Sequence, residues 1–523
     1  MALLVFKQKL FIFVYVTKGI KKIMKYKLQN VIIRKIEIIK PMLKNQSIIA
    51  GWIFGLLILL IGLTIPKIFT ETLNQINVLL LSTFAPFYLW LGFLIVMLSV
   101  ILIFLPFSKQ RLGNDKAEYS WISWIALLYS TGMGSGLLLR AVQEPIYYLN
   151  HPPVQSANLQ STALQYTFFH WGLTPWSFYS LFGLIVAHHL YNKKATSFLE
   201  AIIPQNKSKK LKDGFNIFII LITIVGVVAS LCLGTGQFIG GINSYFKTNL
   251  GTNYLLLCIL TMGVIATLSA LTGIQKVIKY LADFDMLISI ALLLFIASFL
   301  DYSHFFNQTF KAFKDYIIGF PQMSLSFGRY KVSDSFLKDW TVFYWAFWLS
   351  WVPFTGIFIA RISKGRTIRQ FLIATILIPT LATVVWFAVF GNKVFEIMIQ
   401  QGVYHQQFDS IFTSLFNFLT FFPFSEFTVL ITAILVLVAI INSVDSAIFV
   451  VSMFSDDGNE NPSKKHKLMW GIIITATAIG LTAVGSKNLL NAISNLLIIM
   501  ALPFSVVYLY IIIQFIFKNI LRK

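Results

Sequence analysis

The residues in this sequence best suited to chemistry are a run of tryptophans. Trp345, Trp348 and Trp351 recur every third residue, so on a helix they lie along one side that drifts slowly round the axis. Indole faces attract cations, and several together form a cage for a quaternary ammonium group. Membrane tryptophans also mark the interface with water, but they do so at helix ends. Because Trp348 and Trp351 lie near the middle of an apolar run, their position favours the cage.

A second aromatic cluster surrounds a proline. Trp171 and Tyr179 are separated by Pro175, and Trp176 follows the proline directly. Proline has no backbone N–H and interrupts the hydrogen bonds of a helix, so we expect these rings at a bend between the two tryptophans. His170 could relay protons there, but the sequence favours a buried histidine whose hydrogen bonds are satisfied.

Three glycines within five residues interrupt another apolar run, at Gly132, Gly134 and Gly136. Glycine weakens a helix and frees backbone carbonyl groups. In a membrane this is tolerated where the backbone is buried in protein or lines a cavity, which is often an ion or substrate site. The alternative is close packing of helices through small residues.

Polar side chains cluster near the end of a third apolar run, at Asn442, Ser443, Asp445 and Ser446. Such groups are costly inside hydrocarbon, so we expect them to face a cavity or other polar groups. Hard oxygen donors suit a small cation such as Na⁺. Hydrogen bonding between helices explains the cluster equally well.

Composition defines the class of protein that positions these residues. Of the 523 residues, 57% are hydrophobic and 12% are charged, and the mean hydropathy is +0.76. A soluble core cannot absorb so much apolar surface, so the chain is a polytopic membrane protein. The net charge of +22 lies mostly in loops, where basic residues set topology, so no nucleic-acid partner is expected. Cys232 and Cys258 lie inside apolar runs and indicate neither a disulfide framework nor a metal site.

Twelve apolar runs reach the roughly 20 residues needed to cross a bilayer. Lys and Arg crowd alternate loops, which predicts that both termini lie in the cytoplasm. The expected organisation is a basic N-terminal segment (1–46), an all-α membrane domain (47–517) and a short tail (518–523), with surface helices in 302–336 and 393–425. The predicted spans are residues 48–66, 77–106, 119–149, 162–191, 214–244, 252–274, 277–301, 337–362, 368–392, 426–453, 467–486 and 489–517.

Taken together, these residues resemble the betaine/choline/carnitine transporter family. The resemblance covers nearly everything from about residue 47 to the end, and is carried by GMGSGLLLRAVQEP (132–145), QYTFFHWGLTPWSFY (165–179), DWTVFYWAFWLSWVPFTGIFIARISKGRTIR (339–369), SVDSA (443–447) and NP (461–462). It implies a leucine-transporter-like fold of two inverted five-helix repeats, spans 3–7 and 8–12. It further implies a homotrimer surrounded by lipid in the cytoplasmic (inner) membrane.

The resemblance also implies the substrate class and its site. The substrate would carry a quaternary ammonium or sulfonium group, held near the middle of the bilayer in contact with the glycines Gly132, Gly134 and Gly136. Aromatic faces suit such a cation because it cannot donate hydrogen bonds, and each contact is worth roughly 0.5–2 kcal/mol when desolvated. The aromatic box would consist of Trp171, Trp176, Tyr179 and Trp348, with Trp351 and Trp345 nearby.

Two Na⁺ sites follow from the same resemblance. One would be formed by Met133, Asn442 and Ser443, and the other by Ser230 and Phe354. The chain departs from the family pattern near both sites, which leaves the coupling ion open. The departures are Asn442 for Thr, Ala229 and Ser230 for a Thr-Ser pair, Cys232 for Gly, and Phe347 for the first of two Trp residues.

Arg140 is a charge where the family has an aromatic or other uncharged residue. It could form an ion pair with Glu144, four residues further along the helix. It could replace a coupling cation and so permit Na⁺-independent exchange. It could also hold a substrate carboxylate, which guanidinium binds well. On the last two interpretations, Arg140→Tyr would alter the ion dependence of transport.

The sequence therefore predicts a secondary transporter that imports a zwitterion such as glycine betaine, coupled to Na⁺ and without a cofactor. The alternative is Na⁺-independent uptake or exchange of choline or carnitine, with Arg140 in place of a cation. A membrane enzyme would need paired carboxylates or a histidine cluster, and His170, His188 and His189 have no evident partner in a second span. A channel would need a symmetric pore motif, which the sequence does not contain.

Overall fold

The computed structural model describes residues 45–521, except 133–134, 196–197, 203–207, 273–274, 403, 457, 460 and 485. Over these residues the regular structure is helical, apart from an isolated antiparallel bridge between Arg111 and Thr367, which confirms the all-α prediction. The described residues from 51 onwards form one compact unit. Most of the predicted N-terminal segment, residues 1–44, and the last two residues of the predicted tail lie outside the described residues.

Short 3₁₀ turns lie at Pro106–Lys109 and Gly328–Tyr330, and π-helical turns lie at Leu337–Val342 and Phe517–Leu521. In chain order, the α-helices are α1 (Gln46–Thr64), α2 (Pro66–Phe104), α3 (Trp121–Gly132), α4 (Ser135–Arg140), α5 (Gln143–Asn150), α6 (Leu159–Trp171), α7 (Leu173–Tyr191), α8 (Phe198–Ile202), α9 (Lys209–Phe246), α10 (Thr252–Thr272), α11 (Gln275–Ala297), α12 (Tyr302–Leu325), α13 (Asp334–Phe336), α14 (Phe343–Ile362), α15 (Ile368–Gln401), α16 (Ser414–Leu419), α17 (Ser425–Ser455), α18 (Lys464–Thr482) and α19 (Ser486–Ile516).

Eight helical segments among the described residues are long and apolar enough to cross a membrane, or nine if one bent pair counts as a span. The eight correspond to α1, α2, α9, α10, α13–α14, α15, α17 and α19, each of which falls on a predicted span. The other four predicted spans fall on helices that are broken, bent or more polar. They are 119–149 on α3 to α5, 162–191 on α6 and α7, 277–301 before the 115° bend between α11 and α12, and 467–486 on α18.

The break between α6 and α7 lies at Gly172, so the sequence prediction of a bend is correct but its position, at Pro175, is wrong. A Cβ on Gly172 would lie 2.5 Å from the carbonyl oxygen of Phe168, so only glycine fits there. Pro175 lies in the first turn of α7, where a helix does not need its N–H. The N–H of Leu173, left free by the break, donates to the hydroxyl of Tyr316 on α12 at 2.9 Å.

Two glycines allow α7 and α14 to pack closely. A Cβ on Gly183 would lie 2.8 Å from the carbonyl oxygen of Gly356, and a Cβ on Gly356 would lie 2.6 Å from the ring of Phe182. Small residues let helix backbones approach one another in membrane proteins. The contact brings together the two helices that carry most of the aromatic candidate residues.

The two segments predicted to contain surface helices differ from each other. In 302–336, α12 has a buried side that includes Tyr316 and Phe320, and an exposed side where Phe306 and Phe310 are 64% and 71% exposed. In 393–425, α15 extends to Gln401, and α16 buries Leu415, Phe416, Phe418 and Leu419 against the rest of the protein. The exposed apolar side expected of a surface helix is therefore present in α12 but not in α16.

A loop clasp, formed by residues 110–124 and 363–368, joins the start of α3 to the end of α14. Backbone hydrogen bonds of 2.8 to 2.9 Å link its two halves. The Arg366 guanidinium lies between two indoles, 4.4 Å from the ring centroid of Trp121 and 4.6 Å from that of Trp124. Cation–π contacts of this kind fix the clasp across the two helix ends.

Candidate functional site

A buried cavity of about 60 Å³ lies among α4, α6, α7, α9, α14, α15 and α17. None of the described residues that line it carries a charge. Eight of the candidate residues proposed from the sequence meet in this cavity. The full lining is Gly136, Leu137, Trp171, Pro175, Trp176, Tyr179, Ser230, Phe347, Trp348, Trp351, Thr355, Thr383 and Ser443.

The first wall of the cavity comes from the two sides of the α6–α7 break. Trp171 is the last residue of α6, and Trp176 and Tyr179 lie in the first two turns of α7. The rings of Trp176 and Tyr179 meet edge to face, with centroids 5.6 Å apart. Thr383 on α15 donates a hydrogen bond to the carbonyl oxygen of Trp171 at 3.2 Å, which satisfies a group at the helix end.

The second wall comes from α14. Trp348 contacts Trp171 edge to face, with centroids 4.9 Å apart, and Trp351 stacks on Phe347. Trp345 is buried but does not line the cavity, because it packs against Phe169. The drift of a three-residue spacing round a helix separates Trp345 from Trp351, so these tryptophans do not all share one side.

A buried carboxylate lies behind both walls. Glu144, in the first turn of α5, is 0% exposed, and its Oε2 accepts hydrogen bonds from Trp171 Nε1 at 3.0 Å and from the hydroxyl of Tyr344. The Tyr344 ring stacks on Trp348 with centroids 5.7 Å apart. A buried charge needs such partners, because without them it would strongly destabilise the fold.

His170 is the buried histidine with satisfied hydrogen bonds that the sequence favours. Its Nδ1 lies 2.8 Å from the hydroxyl of Tyr148, and its Nε2 lies 3.1 Å from that of Thr341. Its Nδ1 is also 3.7 Å from Glu144 Oε1. The imidazole therefore belongs to the same polar cluster as the carboxylate.

Arg140 lies in this buried region but not on the cavity surface. Its Nη1 donates to Gln143 Oε1 at 2.6 Å, and its guanidinium lies 4.9 Å from the ring centroid of Trp340. The described ion pairs do not include one between Arg140 and Glu144. Trp340 itself lines a second, larger cavity of about 410 Å³, together with Asp339 and other residues at the end of α5 and around α13.

The residues expected at ion sites separate into two groups. Ser230 on α9 and Ser443 on α17 line the cavity, whereas Asn442 and Phe354 do not. Ser443 also donates a hydrogen bond within its own helix, to the carbonyl oxygen of Ala439 at 2.8 Å.

The glycine segment reaches the cavity at one described position. Gly136 lines it, and a Cβ there would lie 3.1 Å from the Trp171 ring. Gly132 is the last residue of α3 before a gap in the described residues. Met133 and Gly134 lie outside the described residues.

Sequence reasoning missed two hydroxyl groups in the lining, those of Thr355 and Thr383. A signal for Thr355 was present, because it follows Trp351 by four residues and therefore shares its side of α14. Thr383 lies in an apolar run without a motif, and nothing in the sequence distinguishes it. It reaches the cavity only through the packing of α15 against α6 and α7.

The chemistry available in this cavity is cation binding without a fixed charge. Buried aromatic faces attract a cation more strongly than exposed ones, because water does not compete. The hydroxyl groups of Ser230 and Thr355 can donate to an anionic oxygen, whereas those of Thr383 and Ser443 already donate to backbone carbonyl groups. All four can offer oxygen atoms to a small cation.

An aromatic cavity beside a broken helix of a membrane protein is the arrangement of a small-molecule transporter. The profile described as BCCT, betaine/carnitine/choline family transporter, matches residues 48–521. The chain belongs to this family, which confirms the resemblance recognised from the sequence. The relatives are named as transporters, so this is a transporter rather than an enzyme.

Three relatives cover most of the chain. A glycine betaine transporter of Bacillus subtilis is 36% identical over 86% of this chain and 90% of that protein. A glycine betaine/proline/choline/ectoine transporter of Vibrio parahaemolyticus is 33% identical over 88% and 84%. An osmo-independent choline transporter of Acinetobacter baylyi is 30% identical over 90% and 91%.

One solved structure is also similar, that of a Na⁺-coupled sialic acid symporter in a substrate-bound outward-open state. It is 14% identical, with a TM-score of 0.47 over 81% of this chain and 86% of that one. This likeness is too low to add to the family match.

Proposed function

We propose that the chain imports a zwitterion with a quaternary ammonium group, such as glycine betaine, together with Na⁺. One observation carries the proposal: tryptophan and tyrosine side chains from α6, α7 and α14 surround a buried cavity whose described lining residues are uncharged. Gly136 supports a zwitterion, because an acidic residue there would favour a pure cation such as choline. Two of the relatives are named as glycine betaine transporters, which supports the same substrate class.

The two ends of the substrate would be bound differently. Its ammonium group would contact the faces of Trp171, Trp176, Tyr179 and Trp348, since methylated nitrogen has no proton to donate. Its carboxylate would accept a hydrogen bond from a hydroxyl group of the lining, such as that of Thr355. A cavity of about 60 Å³ is small, so binding would include movement of the aromatic side chains.

We further propose the architecture typical of alternating-access transporters with inverted repeats. The chain would cross the membrane twelve times, with repeats in spans 3–7 and 8–12 and both termini in the cytoplasm. The alternation of basic loops supports this topology, and the broken helices at 119–149 and 162–191 are the kind found around transporter binding sites. The proposed form is a homotrimer in the cytoplasmic (inner) membrane.

Na⁺ is the proposed coupling ion. Ser230 and Ser443 support it, because they bring hard oxygen atoms to the cavity from two separate helices. Met133, Asn442 and Phe354 complete the proposed ion sites. Choline or carnitine exchange without Na⁺, with Arg140 as the fixed cation, is the competing proposal, and the similarity to a choline transporter favours it.

Uptake of labelled glycine betaine into proteoliposomes, with and without an inward Na⁺ gradient, tests the proposal. We expect betaine to accumulate only with the gradient, and unlabelled choline and carnitine to compete more weakly. Trp176→Leu should raise KM about tenfold or more, because it removes an aromatic face from the cavity. Trp90→Leu is the matched control, since Trp90 is 51% exposed on α2.

The alternatives give different results in the same experiment. Uptake that needs no Na⁺ and is accelerated by betaine preloaded inside would indicate exchange and would contradict Na⁺ coupling. Transport of choline or carnitine but not betaine would overturn the proposed substrate and leave the aromatic cavity as the site. Equal effects of Trp176→Leu and Trp90→Leu would show that the cavity is not the binding site.

A further inference from the structure

Glu144 contacts both walls of the aromatic cavity without lining it. Its Oε2 accepts one hydrogen bond from Trp171 Nε1, at 3.0 Å, and one from the hydroxyl of Tyr344. Trp171 belongs to α6 and Tyr344 to α14, so one oxygen atom on α5 joins two other helices. Hydrogen bonds are stronger where water is excluded, as it is around this carboxyl group.

One of these bonds fixes a ring that the substrate would contact, and the other fixes a ring packed against such a ring. Trp171 forms the first wall directly. Tyr344 acts on the second wall through its stacked contact with Trp348, whose ring plane differs from its own by 15°. The two walls meet where the rings of Trp171 and Trp348 contact each other, with centroids 4.9 Å apart, so a rotation of either ring changes the shape of the cavity.

The surroundings of Glu144 leave it little freedom. Its side chain is 0% exposed, and His170 Nδ1 lies 3.7 Å from Oε1. The other polar groups of the cluster are engaged with one another, Tyr148 with His170 and Arg140 with Gln143. The carboxylate is therefore held in a packed environment in which only Oε2 is directed at the aromatic walls.

We propose that Glu144 is a positioning residue, which holds Trp171 directly, and Trp348 through Tyr344, in the orientation that binds the quaternary ammonium group. The proposal rests on the proposed function, because it assumes that Trp171 and Trp348 bind the substrate. It makes substrate affinity depend on a residue that does not contact the substrate.

Two substitutions at one position test it. Glu144→Gln keeps an acceptor oxygen and should change KM for betaine by less than roughly threefold, whereas Glu144→Leu removes the acceptor and should raise KM roughly tenfold or more. Vmax per folded protein should fall less than the affinity in both variants. Glu396→Gln is the control, since Glu396 is a partly buried carboxylate paired with Lys393, far along α15 from the cavity.

Tyr344→Phe supplies a second, milder test, because it removes one of the two donors and leaves the ring. It should raise KM by several fold, and the effect should be smaller in the Glu144→Leu background, where the bond is already lost. A purely structural role for Glu144 would instead reduce the yield of folded protein and leave the KM of the remainder unchanged. That result, or an equal rise of KM in Glu144→Gln and Glu144→Leu, would overturn the proposal.

The orientation of the rings can be measured without any substrate. A cryo-EM structure of Glu144→Leu should show the ring of Trp171 or Tyr344 rotated relative to its orientation in the wild-type protein. Unmoved rings would overturn the positioning role, whatever the protein transports. If the wild-type protein neither binds nor transports betaine but the rings rotate, the proposed function fails while the positioning role stands.

Discussion

The indole nitrogen of Trp348 donates a hydrogen bond to the backbone carbonyl oxygen of His170, at 2.9 Å. That carbonyl lies in the last turn of α6, where it has no partner within the helix. The bond therefore caps α6 with a side chain from α14, directly beside Trp171. Trp348 therefore fixes the end of α6, which is the helix end that carries Trp171.

Trp348→Phe tests this capping role. Phenylalanine keeps an aromatic ring but cannot donate, so the His170 carbonyl is left unpaired in a buried place. We expect the free energy of unfolding to fall by about 1–3 kcal/mol, seen as a lower melting temperature in detergent. Trp345→Phe is the comparison, because Trp345 lies on the same helix outside the cavity lining. An equal loss in both variants would mean that ring size, not the hydrogen bond, sets the effect.

Gly136→Ala should weaken substrate binding. The new methyl group would lie 3.1 Å from the Trp171 ring, which cannot retreat easily because Glu144 holds its indole nitrogen. We expect KM for betaine to rise by roughly threefold to tenfold, as in other overpacked sites. Gly214→Ala, whose added methyl meets nothing within 4 Å, should leave transport unchanged. A normal KM for Gly136→Ala would show that the Trp171 ring is free to move.

Arg140→Tyr should leave the Na⁺ requirement of uptake unchanged, because the guanidinium bonds to Gln143 and lies over Trp340 instead of lining the cavity. The same change should lower stability by about 1–2 kcal/mol, through the lost hydrogen bond and cation–π contact. Uptake across a range of Na⁺ concentrations and a melting curve measure the two effects. A gain of Na⁺ dependence in the variant would assign Arg140 the role of a replacement cation. Arg329→Tyr, at an exposed cation–π contact, is the control.

Arg366→Ala should loosen the loop clasp. The guanidinium lies between Trp121 and Trp124 and donates to the backbone carbonyl of Tyr119, so its loss should cost about 1–3 kcal/mol of stability. Thermal unfolding in detergent measures this change.

Lys364→Ala is the control for the clasp. Lys364 pairs with Asp115 at 2.7 Å on the exposed edge, and exposed pairs contribute little. Hydrogen bonding to Asp115 raises the pKa of Lys364, so the lysine is charged at neutral pH and its contribution is lost as the pH rises through that raised pKa. The difference between the two variants should therefore be the same at pH 6 and pH 8. If Lys364→Ala lowered the stability more than Arg366→Ala, the ion pair with Asp115 would be the main interaction that holds the clasp.

The aromatic lining was largely predictable, because membrane tryptophans away from helix ends have few other uses. Composition and span length predicted the helical class for similar reasons. The break at Gly172 was not located, because a proline three residues later offers a stronger sequence signal than a lone glycine. The position of the break is set by the Phe168 carbonyl oxygen, which leaves no room for a Cβ at Gly172. This distance is known only from the structure.

Glu144 shows why other parts of the site could not be predicted. The sequence suggests a local partner for it, Arg140, four residues away on the same expected helix. The structure breaks that helix at 141–142, so the carboxylate bonds instead to side chains 27 and 200 residues further along the chain. Short-range patterns carry no information about partners at such separations, and Thr383 was missed for the same reason.

The glycine contact between α7 and α14 has a consequence for how the protein moves. Gly183 and Gly356 bring two backbones together without a layer of side chains that could slide or rotate between them. Relative displacement of the two helices would force backbone atoms into each other, so we expect α7 and α14 to travel as one rigid body. The backbone positions that carry Trp176, Tyr179, Trp348 and Trp351 would then keep their mutual geometry through the transport cycle, while the hydroxyl groups on α9, α15 and α17 approach and withdraw.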